Sequence, residues 1–107
     1  MGDGQRMKAN SVPAKLVEEA AKIASRLCEP DTLSIPYAHK LAVTAARNIG
    51  IQLRSSEELS YCVICRKGPF TKRGYYLHLV RVHGSLIRQM IADEIKRLEE
   101  SYLGQTG

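Results

Sequence analysis

The sequence has few of the features that stabilise a small domain by packing alone. Its 107 residues include no tryptophan and one phenylalanine, Phe70, so the largest aromatic side chains contribute little to a hydrophobic core. No apolar run is long enough to cross a bilayer, and residues 1–6 lack the hydrophobic core of a signal peptide. We therefore expect a soluble intracellular protein, in the cytoplasm, the nucleoid or the nucleus, that gains part of its stability from something other than packing.

Signatures of catalysis are also missing. The sequence contains no glycine-rich loop of the kind that binds phosphates and no pair of carboxylates at a spacing suited to acid–base catalysis. His39 has no evident catalytic partner and is expected to be a surface or packing residue. The chain is therefore predicted not to be an enzyme, and to bind neither a small-molecule substrate nor a membrane.

Two cysteines and two histidines form the most specific motif in the chain. The motif has the spacing C-x2-C-x12-H-x4-H and consists of Cys62, Cys65, His78 and His83. Two thiolates on a short loop and two imidazoles on a helix supply the four ligands of a tetrahedral zinc site. Because four protein ligands leave no open coordination position, the predicted zinc ion is structural. The third cysteine, Cys28, is expected to be a small apolar packing residue.

Acidic residues are absent from the part of the chain around this motif. No Asp or Glu occurs between Leu59 and Ala92, where basic residues give a net charge of +6, and the rest of the chain carries a net charge of −1. Charge concentrated around a metal site is typical of surfaces that bind phosphates. The alternative is a solvated basic face without a partner. The residues predicted to contact phosphates are Arg66, Lys67, Lys72, Arg73, Arg81 and Arg88.

Apolar residues at three-to-four spacing predict two N-terminal helices. The first is expected to begin near Ser11 and to end at residues 29–31. The second is expected to run from about Ser34 to Gly50, where glycine favours helix termination. Their abundant alanines would allow close approach as an antiparallel pair. The residues predicted to face the core are Leu16, Ala20, Ile23 and Leu27 in the first helix and Leu41, Ala42, Ala45 and Ile49 in the second.

A further amphipathic helix is predicted from Ser85 to Leu103, and its apolar stripe is expected to pack onto the N-terminal pair rather than onto another protein. The stripe consists of Ile87, Met90, Ile91, Ile95, Leu98 and Tyr102. The predicted fold class is mainly α, a small zinc-stabilised domain with an antiparallel N-terminal helix pair, a C2H2 zinc-finger module and a C-terminal amphipathic helix. The predicted divisions are a disordered tail at 1–10, a helical hairpin at 11–54, a zinc finger at 55–84, and the C-terminal helix with a short tail at 85–107.

The four predicted ligands resemble those of the C2H2 zinc-finger family, which implies a ββα module with both histidines on its helix. Two residues of the family's small apolar core differ, because Pro69 and Tyr75 occupy positions that are usually Phe and Leu. In fingers that recognise DNA sequences, three helix positions contact the bases, and here these positions hold Thr71, Gly74 and Leu77. None of the three is a bidentate side chain that distinguishes base pairs. A single finger of this kind is therefore not expected to specify a DNA sequence.

Aromatic residues near the basic residues favour binding of unpaired bases over recognition of duplex DNA. Aromatic rings stack on unpaired bases, and Phe70, Tyr75 and Tyr76 are the candidates near the metal motif. Tyr75 is expected to fill the finger core and Tyr76 to be exposed. The favoured function is a non-catalytic zinc-binding protein that binds nucleic acid, with RNA ahead of DNA. The alternatives are a DNA-binding transcriptional regulator, dimerised by its last helix, and a protein–protein interaction module that uses the N-terminal helix pair or the C-terminal helix.

Residues 14–65 also resemble the small zinc-binding protein subunit of archaeal and eukaryotic ribonuclease P. The resemblance rests on an Ala-rich second helix, a short apolar segment at 51–53 and an aromatic residue, Tyr61, directly before the C-x2-C. That family closes its metal site with a second C-x2-C, whereas two histidines take this place here, and Arg54 stands where a proline is usual. The resemblance implies that the N-terminal helices dock an Sm-like barrel subunit and that the basic zinc region lies against RNA.

Overall fold

A computed structural model describes three ranges of the chain, 12–29, 40–55 and 60–106. These residues form three α-helices: α1 (Ala14–Ala24), α2 (Lys40–Gln52) and α3 (Lys72–Thr106). Within the described ranges there is no β-strand, and an isolated antiparallel bridge joins Ser60 to Phe70. The predicted mainly α class is therefore confirmed, and of the two strands that a ββα finger would have, the described residues show that bridge alone.

Some sequence predictions fall outside the described residues. These are the tail at residues 1–10, the start of the first helix near Ser11, the start of the second helix near Ser34, the role of His39 and the side chain of Tyr102. None of the helices in the described ranges is long and apolar enough to cross a membrane.

Helix α1 ends earlier than the sequence predicts. It begins directly after Pro13, whose carbonyl accepts a hydrogen bond from the N–H of Leu16 at 3.0 Å. It ends two residues before Arg26, which adopts a left-handed conformation with a φ of 67°. The N–H groups of the next two residues both donate to the Lys22 carbonyl, as in a helix C-cap. The chain thus turns away from the helix axis and leaves Leu27 45% exposed, so the prediction that Leu27 faces the core is wrong.

Gly50 lies inside α2 and does not end it, contrary to the sequence prediction. The helix continues to Gln52. A Cβ atom at position 50 would lie 2.8 Å from both the Ala20 carbonyl oxygen and the Ile23 Cβ atom, which is closer than packed atoms approach. Gly50 therefore allows α1 and α2 to come into direct backbone contact.

Several contacts join the C-terminal ends of α1 and α2. Besides the Gly50 contact, the Arg54 guanidinium donates to the Ile23 carbonyl at 2.9 Å, and the Arg26 guanidinium donates to the Ser55 carbonyl at 3.2 Å. In an antiparallel hairpin, the end of the first helix would instead lie beside the start of the second. The described contacts therefore do not support the antiparallel arrangement predicted from the sequence.

Helix α3 crosses the predicted boundary between residues 84 and 85. It bends at His83, whose backbone is not helical, with φ −114° and ψ 16°. Beyond the bend, Ile87, Ile91 and Ile95 of the predicted apolar stripe are buried. They belong to one hydrophobic cluster with residues of α1 and α2, so this half of α3 packs onto the N-terminal helices.

The metal motif is part of the same core as the helices. Cys62 and Tyr75 are fully buried and belong to the hydrophobic cluster that α1, α2 and α3 share. A polar contact adds to this packing, since the Asn48 amide of α2 donates to the Glu94 carboxylate of α3 at 2.9 Å. Folding of the helices and assembly of the metal motif are therefore coupled through shared buried side chains.

Candidate metal centre and the surrounding basic surface

The loop that carries Cys62 and Cys65 is closed by two backbone hydrogen bonds. The N–H of Arg66 donates to the Cys62 carbonyl at 2.7 Å, and the N–H of Cys62 donates to the Lys67 carbonyl at 2.8 Å. Arg66 adopts a left-handed conformation with a φ of 69°, which turns the chain back on itself. We call residues 62–67 the knuckle. Its closure brings the two thiols toward one point.

The bend in α3 brings the two histidines together. Residues five positions apart in a straight α-helix point about 140° away from each other, because each residue advances the helix by about 100°. The non-helical backbone at His83 changes this direction, and the His78 and His83 rings lie with their centroids 5.0 Å apart, edge to face. The H-x4-H spacing is therefore compatible with one metal site because the helix bends at the second histidine.

The four side chains of the motif form a compact group. The ligand atoms of Cys62, Cys65, His78 and His83 all lie within 4.8 Å of one another, and Cys65 Sγ lies 3.4 Å from His78 Nε2. A tetrahedral zinc ion with bonds of about 2.0–2.3 Å places its ligand atoms roughly 3.3–3.8 Å apart. The group is thus compatible with one metal ion after a small contraction.

The protonation and hydrogen bonding of the histidines also suit a metal. Burial lowers the pKa of His78, and the nearby His83 and Lys67 lower it further. A lower pKa favours the neutral imidazole, which is the form that binds metal. Nε2 of His83 is buried without a hydrogen-bond partner among the described residues. A metal ion would satisfy this nitrogen, since buried polar atoms in folded proteins are almost always paired.

Two aromatic residues hold the site in place. Phe70 stacks on the His78 ring, with centroids 4.6 Å apart. The fully buried Tyr75 donates from its hydroxyl to the Leu53 carbonyl at 2.6 Å and accepts a long hydrogen bond of 3.4 Å from the N–H of Val63. Burial raises the pKa of Tyr75, so the hydroxyl stays protonated and remains a donor. Tyr75 thus fixes the N-terminal part of α3 to the end of α2 and makes a weaker contact with the knuckle.

Most of the predicted phosphate-binding residues are exposed. Those that the structure exposes are Arg66, Lys67, Lys72, Arg73 and Arg81. The first two belong to the knuckle, and Lys72 and Arg73 lie in the first turn of α3, next to the Ser60–Phe70 bridge. Arg66, Lys67, Lys72 and Arg73 all lie between Cys65 and His78 in the chain, and Arg81 lies on α3 between the two histidines. Lys67 is close enough to His78 to lower its pKa, and this distribution agrees with the charge pattern of the sequence.

Arg88 and Tyr76 differ from this picture. Arg88 lies beyond the bend in α3 and lines a shallow groove between α1 and α3 that Glu18 also lines. Tyr76 is only partly exposed and packs against the hydrophobic core. The structure therefore separates Arg88 from the cations at the metal group, and the prediction that Tyr76 is an exposed ring is wrong.

Tyr61 is the exposed aromatic residue that the sequence reasoning missed. Its side chain is 42% exposed, directly before the buried Cys62. The sequence signal that could have found it is its position directly before Cys62 of the metal motif. The aromatic residues that the sequence indicates as candidates, Phe70, Tyr75 and Tyr76, all follow the knuckle in the chain.

The three helix positions that contact bases in DNA-binding fingers are engaged in the fold or lack polar groups. Thr71 caps α3, because its hydroxyl accepts a hydrogen bond from the N–H of Gly74 at 2.9 Å. Gly74 and Leu77 are partly buried. These positions therefore offer no free bidentate group for the edge of a base pair.

Comparison with known proteins gives no relative. The chain matches no protein-family model, no curated protein and no solved structure. The functional argument therefore rests on the geometry of the metal group and on the charges around it.

Proposed function

We propose that this chain is a non-catalytic, zinc-binding protein that binds nucleic acid, with RNA as the favoured partner. The observation that carries the proposal is the exposure of four cations around a Cys2His2 group in a part of the chain without acidic residues. Two thiolates and two imidazoles suit zinc better than the harder magnesium or calcium ions, which prefer oxygen ligands. The zinc ion holds the knuckle and the start of α3 in a fixed relation and thereby places the cations.

The charge balance at the loaded site favours a polyanion. Zinc carries a charge of +2, which two thiolates neutralise, so the positive charge of the neighbouring residues remains uncompensated. The four cations are Arg66, Lys67, Lys72 and Arg73, all exposed. Exposed cations clustered on one surface attract phosphate groups and release the counterions that surround a nucleic acid.

RNA is favoured over a specific DNA duplex for two reasons. The DNA-contacting positions of the finger helix lack base-reading side chains, and single-stranded RNA presents bases that need no groove. The likeness of residues 14–65 to the zinc-binding ribonuclease P subunit also suggests a ribonucleoprotein component. In that case the N-terminal helices would contact a protein partner.

Salt dependence of RNA binding tests the proposal. If the four cations each contact one phosphate, the logarithm of affinity for a single strand falls with a slope of about −3 against the logarithm of salt, or roughly 50-fold between 50 and 200 mM. Fluorescence anisotropy with a labelled single-stranded RNA measures this slope. Affinity that is independent of salt, or no binding at 50 mM salt, would contradict the proposal.

A matched pair of charge reversals locates the contact. Lys72→Glu and Lys15→Glu change the net charge equally, and both residues are exposed in the first turn of a helix. We expect Lys72→Glu to weaken RNA binding and to make the salt slope shallower by at least about 0.7. Lys15→Glu should leave both nearly unchanged. Equal effects of the two variants would show attraction by net charge alone and would contradict a binding surface at the metal group.

A further inference from the structure

Two exposed apolar side chains lie beside the metal group. Tyr61 is 42% exposed and Val63 is 37% exposed, whereas Cys62 between them is completely buried. Burial of the cysteine thus fixes the direction of the chain and turns its two neighbours toward solvent. The exposed side chains of Tyr61 and Val63, which we call the platform, therefore lie on either side of a buried motif residue in the chain.

The Tyr61 ring is supported by the backbone of Gly68. A Cβ atom at position 68 would lie 3.1 Å from Tyr61 Cα and 3.2 Å from Tyr61 Cδ2. Gly68 also has a φ of +143°, a conformation that side chains rarely adopt. Glycine therefore lets one edge of the ring rest against the chain. A ring held in this way loses less conformational entropy when a ligand stacks on it.

The charges next to the platform indicate what binds there. Arg66 and Lys67 follow the knuckle cysteines, are exposed, and precede the glycine that supports the ring. An apolar protein partner would bury these cations without compensation, at a cost. A nucleotide can contact both the aromatic ring and the cations, because its base stacks on the ring while its phosphates pair with the neighbouring cations.

The other aromatic rings near the metal group are already used by the fold. Phe70 stacks on His78, and Tyr75 is fully buried with its hydroxyl bonded to Leu53. Tyr76 packs against the core. Among the described aromatic residues of this region, Tyr61 is the one with a large exposed area for a base.

We propose that Tyr61, supported by Gly68 and flanked by Arg66 and Lys67, is a stacking site for an unpaired base of single-stranded RNA. This inference rests on the proposed nucleic-acid-binding function and adds the class of ligand and the residue that recognises it. A base paired within a duplex is stacked on its neighbours and cannot cover the ring. The site therefore distinguishes single strands from duplexes without distinguishing sequences.

Binding of single and double strands tests the site. The zinc-loaded full chain is titrated into a labelled 12-nucleotide RNA of mixed sequence, and into the same strand annealed to its complement, at equal salt. Loss of one base–aromatic stack lowers affinity by about 5- to 150-fold. We expect Tyr61→Ala to lower the affinity for the single strand by that factor and to leave the affinity for the duplex unchanged. Tyr61→Phe keeps the ring and should bind both RNAs with wild-type affinity.

A control variant removes a comparable apolar surface elsewhere. Leu86 on α3 is 45% exposed, close to the exposure of Tyr61, and lies beyond the bend at His83, outside the knuckle and outside the part of the chain that carries the four cations. Leu86→Ala should leave single-strand affinity unchanged. An equal loss from Tyr61→Ala and Leu86→Ala would overturn the site, because it would show a general effect of apolar surface.

Photocrosslinking gives a second measurement that needs no variant. RNA containing 5-iodouridine is irradiated in complex with the zinc-loaded wild-type chain, and the modified peptide is identified by mass spectrometry. The expected adduct is on the peptide that contains Tyr61. An adduct confined to the peptide with Tyr75 and Tyr76 would overturn the proposal.

The two proposals fail in different ways. If RNA binds with the expected salt dependence but Tyr61→Ala has no effect on the single strand, the stacking site is wrong and the general binding surface stands. If no RNA binds to the wild type, both are wrong.

Discussion

The Tyr75 hydroxyl is the polar link between the metal motif and α2, and its removal has a calculable effect. Tyr75→Phe keeps the buried ring, so it creates no large cavity. It removes the donor that lies 2.6 Å from the Leu53 carbonyl and the acceptor for the N–H of Val63. The 3.4 Å contact to Val63 is long and contributes little, so the effect comes mainly from the carbonyl at the end of α2.

The expected loss of stability follows from that one bond. Leaving a buried polar group unpaired costs about 1–3 kcal/mol, and Leu53 is itself buried. With a urea dependence of about 1–3 kcal/mol per molar, the unfolding midpoint of the zinc-loaded chain should fall on the order of 1 M. Circular dichroism at 222 nm measures the transition, because the fold is mainly helical.

Tyr76→Phe is the matched control for this prediction. Tyr76 follows Tyr75 directly, and its hydroxyl makes no hydrogen bond among the described residues. Its loss should change the free energy of unfolding by less than about 0.5 kcal/mol. If Tyr75→Phe is as stable as Tyr76→Phe, the bond to Leu53 contributes nothing to the link and the reasoning is refuted.

Three other substitutions test the packing and charge arguments by urea unfolding. Gly50→Ala should destabilise the chain by about 1–3 kcal/mol because the new methyl group overlaps α1; a neutral or stabilising effect would contradict the close contact. Gly84→Ala should stabilise by about 0.5–1 kcal/mol, since this helical glycine has open space around its Cβ position; a loss of stability would show an unrecognised contact. Hydrogen bonds from Arg97 and Asn48 hold the pKa of Glu94 below its ordinary value of 4.5. The carboxylate therefore adds stability above pH 4.5 that is lost as pH falls through the lowered pKa. The difference in unfolding free energy between wild type and Glu94→Gln should therefore become smaller as the pH falls below 4.5. A difference that does not change with pH would contradict this role of the carboxylate.

The grouping of Cys62, Cys65, His78 and His83 could be predicted from the sequence because their arrangement is mostly local. The C-x2-C loop closes on itself through bonds between neighbouring residues, and both histidines lie on one helix. The feature that the spacing does not reveal is the bend at His83, which brings the second imidazole next to the first. The basic residues near the ligands were predictable for the same reason, since most of them lie within a few positions of the knuckle.

The errors have a common cause in contacts between distant parts of the chain. A glycine such as Gly50 can either end a helix or allow a neighbouring helix to approach closely, and the sequence does not distinguish the two roles. The role of Gly50 depends on its contacts with Ala20 and Ile23 of α1. Leu27 fits the helical period, but the left-handed turn at Arg26 removes it from the helix. Periodicity describes one helix at a time and contains no information about these contacts.

The exposure of Tyr61 could not be predicted from the sequence because it also depends on contacts between distant residues. Aromatic residues near metal ligands usually fill the core of a small finger, and the sequence contains several tyrosines in that region. Which of these tyrosines is buried depends on which ring reaches the end of α2. Tyr75 reaches Leu53 and is buried, so the ring before the knuckle remains outside.

The central claim is that Cys62, Cys65, His78 and His83 hold one zinc ion. X-ray absorption at the zinc edge, on the purified full chain with its metal content determined, measures this most directly. We predict one zinc ion per chain with two sulfur ligands at about 2.3 Å and two nitrogen ligands at about 2.0–2.1 Å. A first shell of oxygen atoms, or a chain that retains its helical fold without bound zinc, would contradict the account.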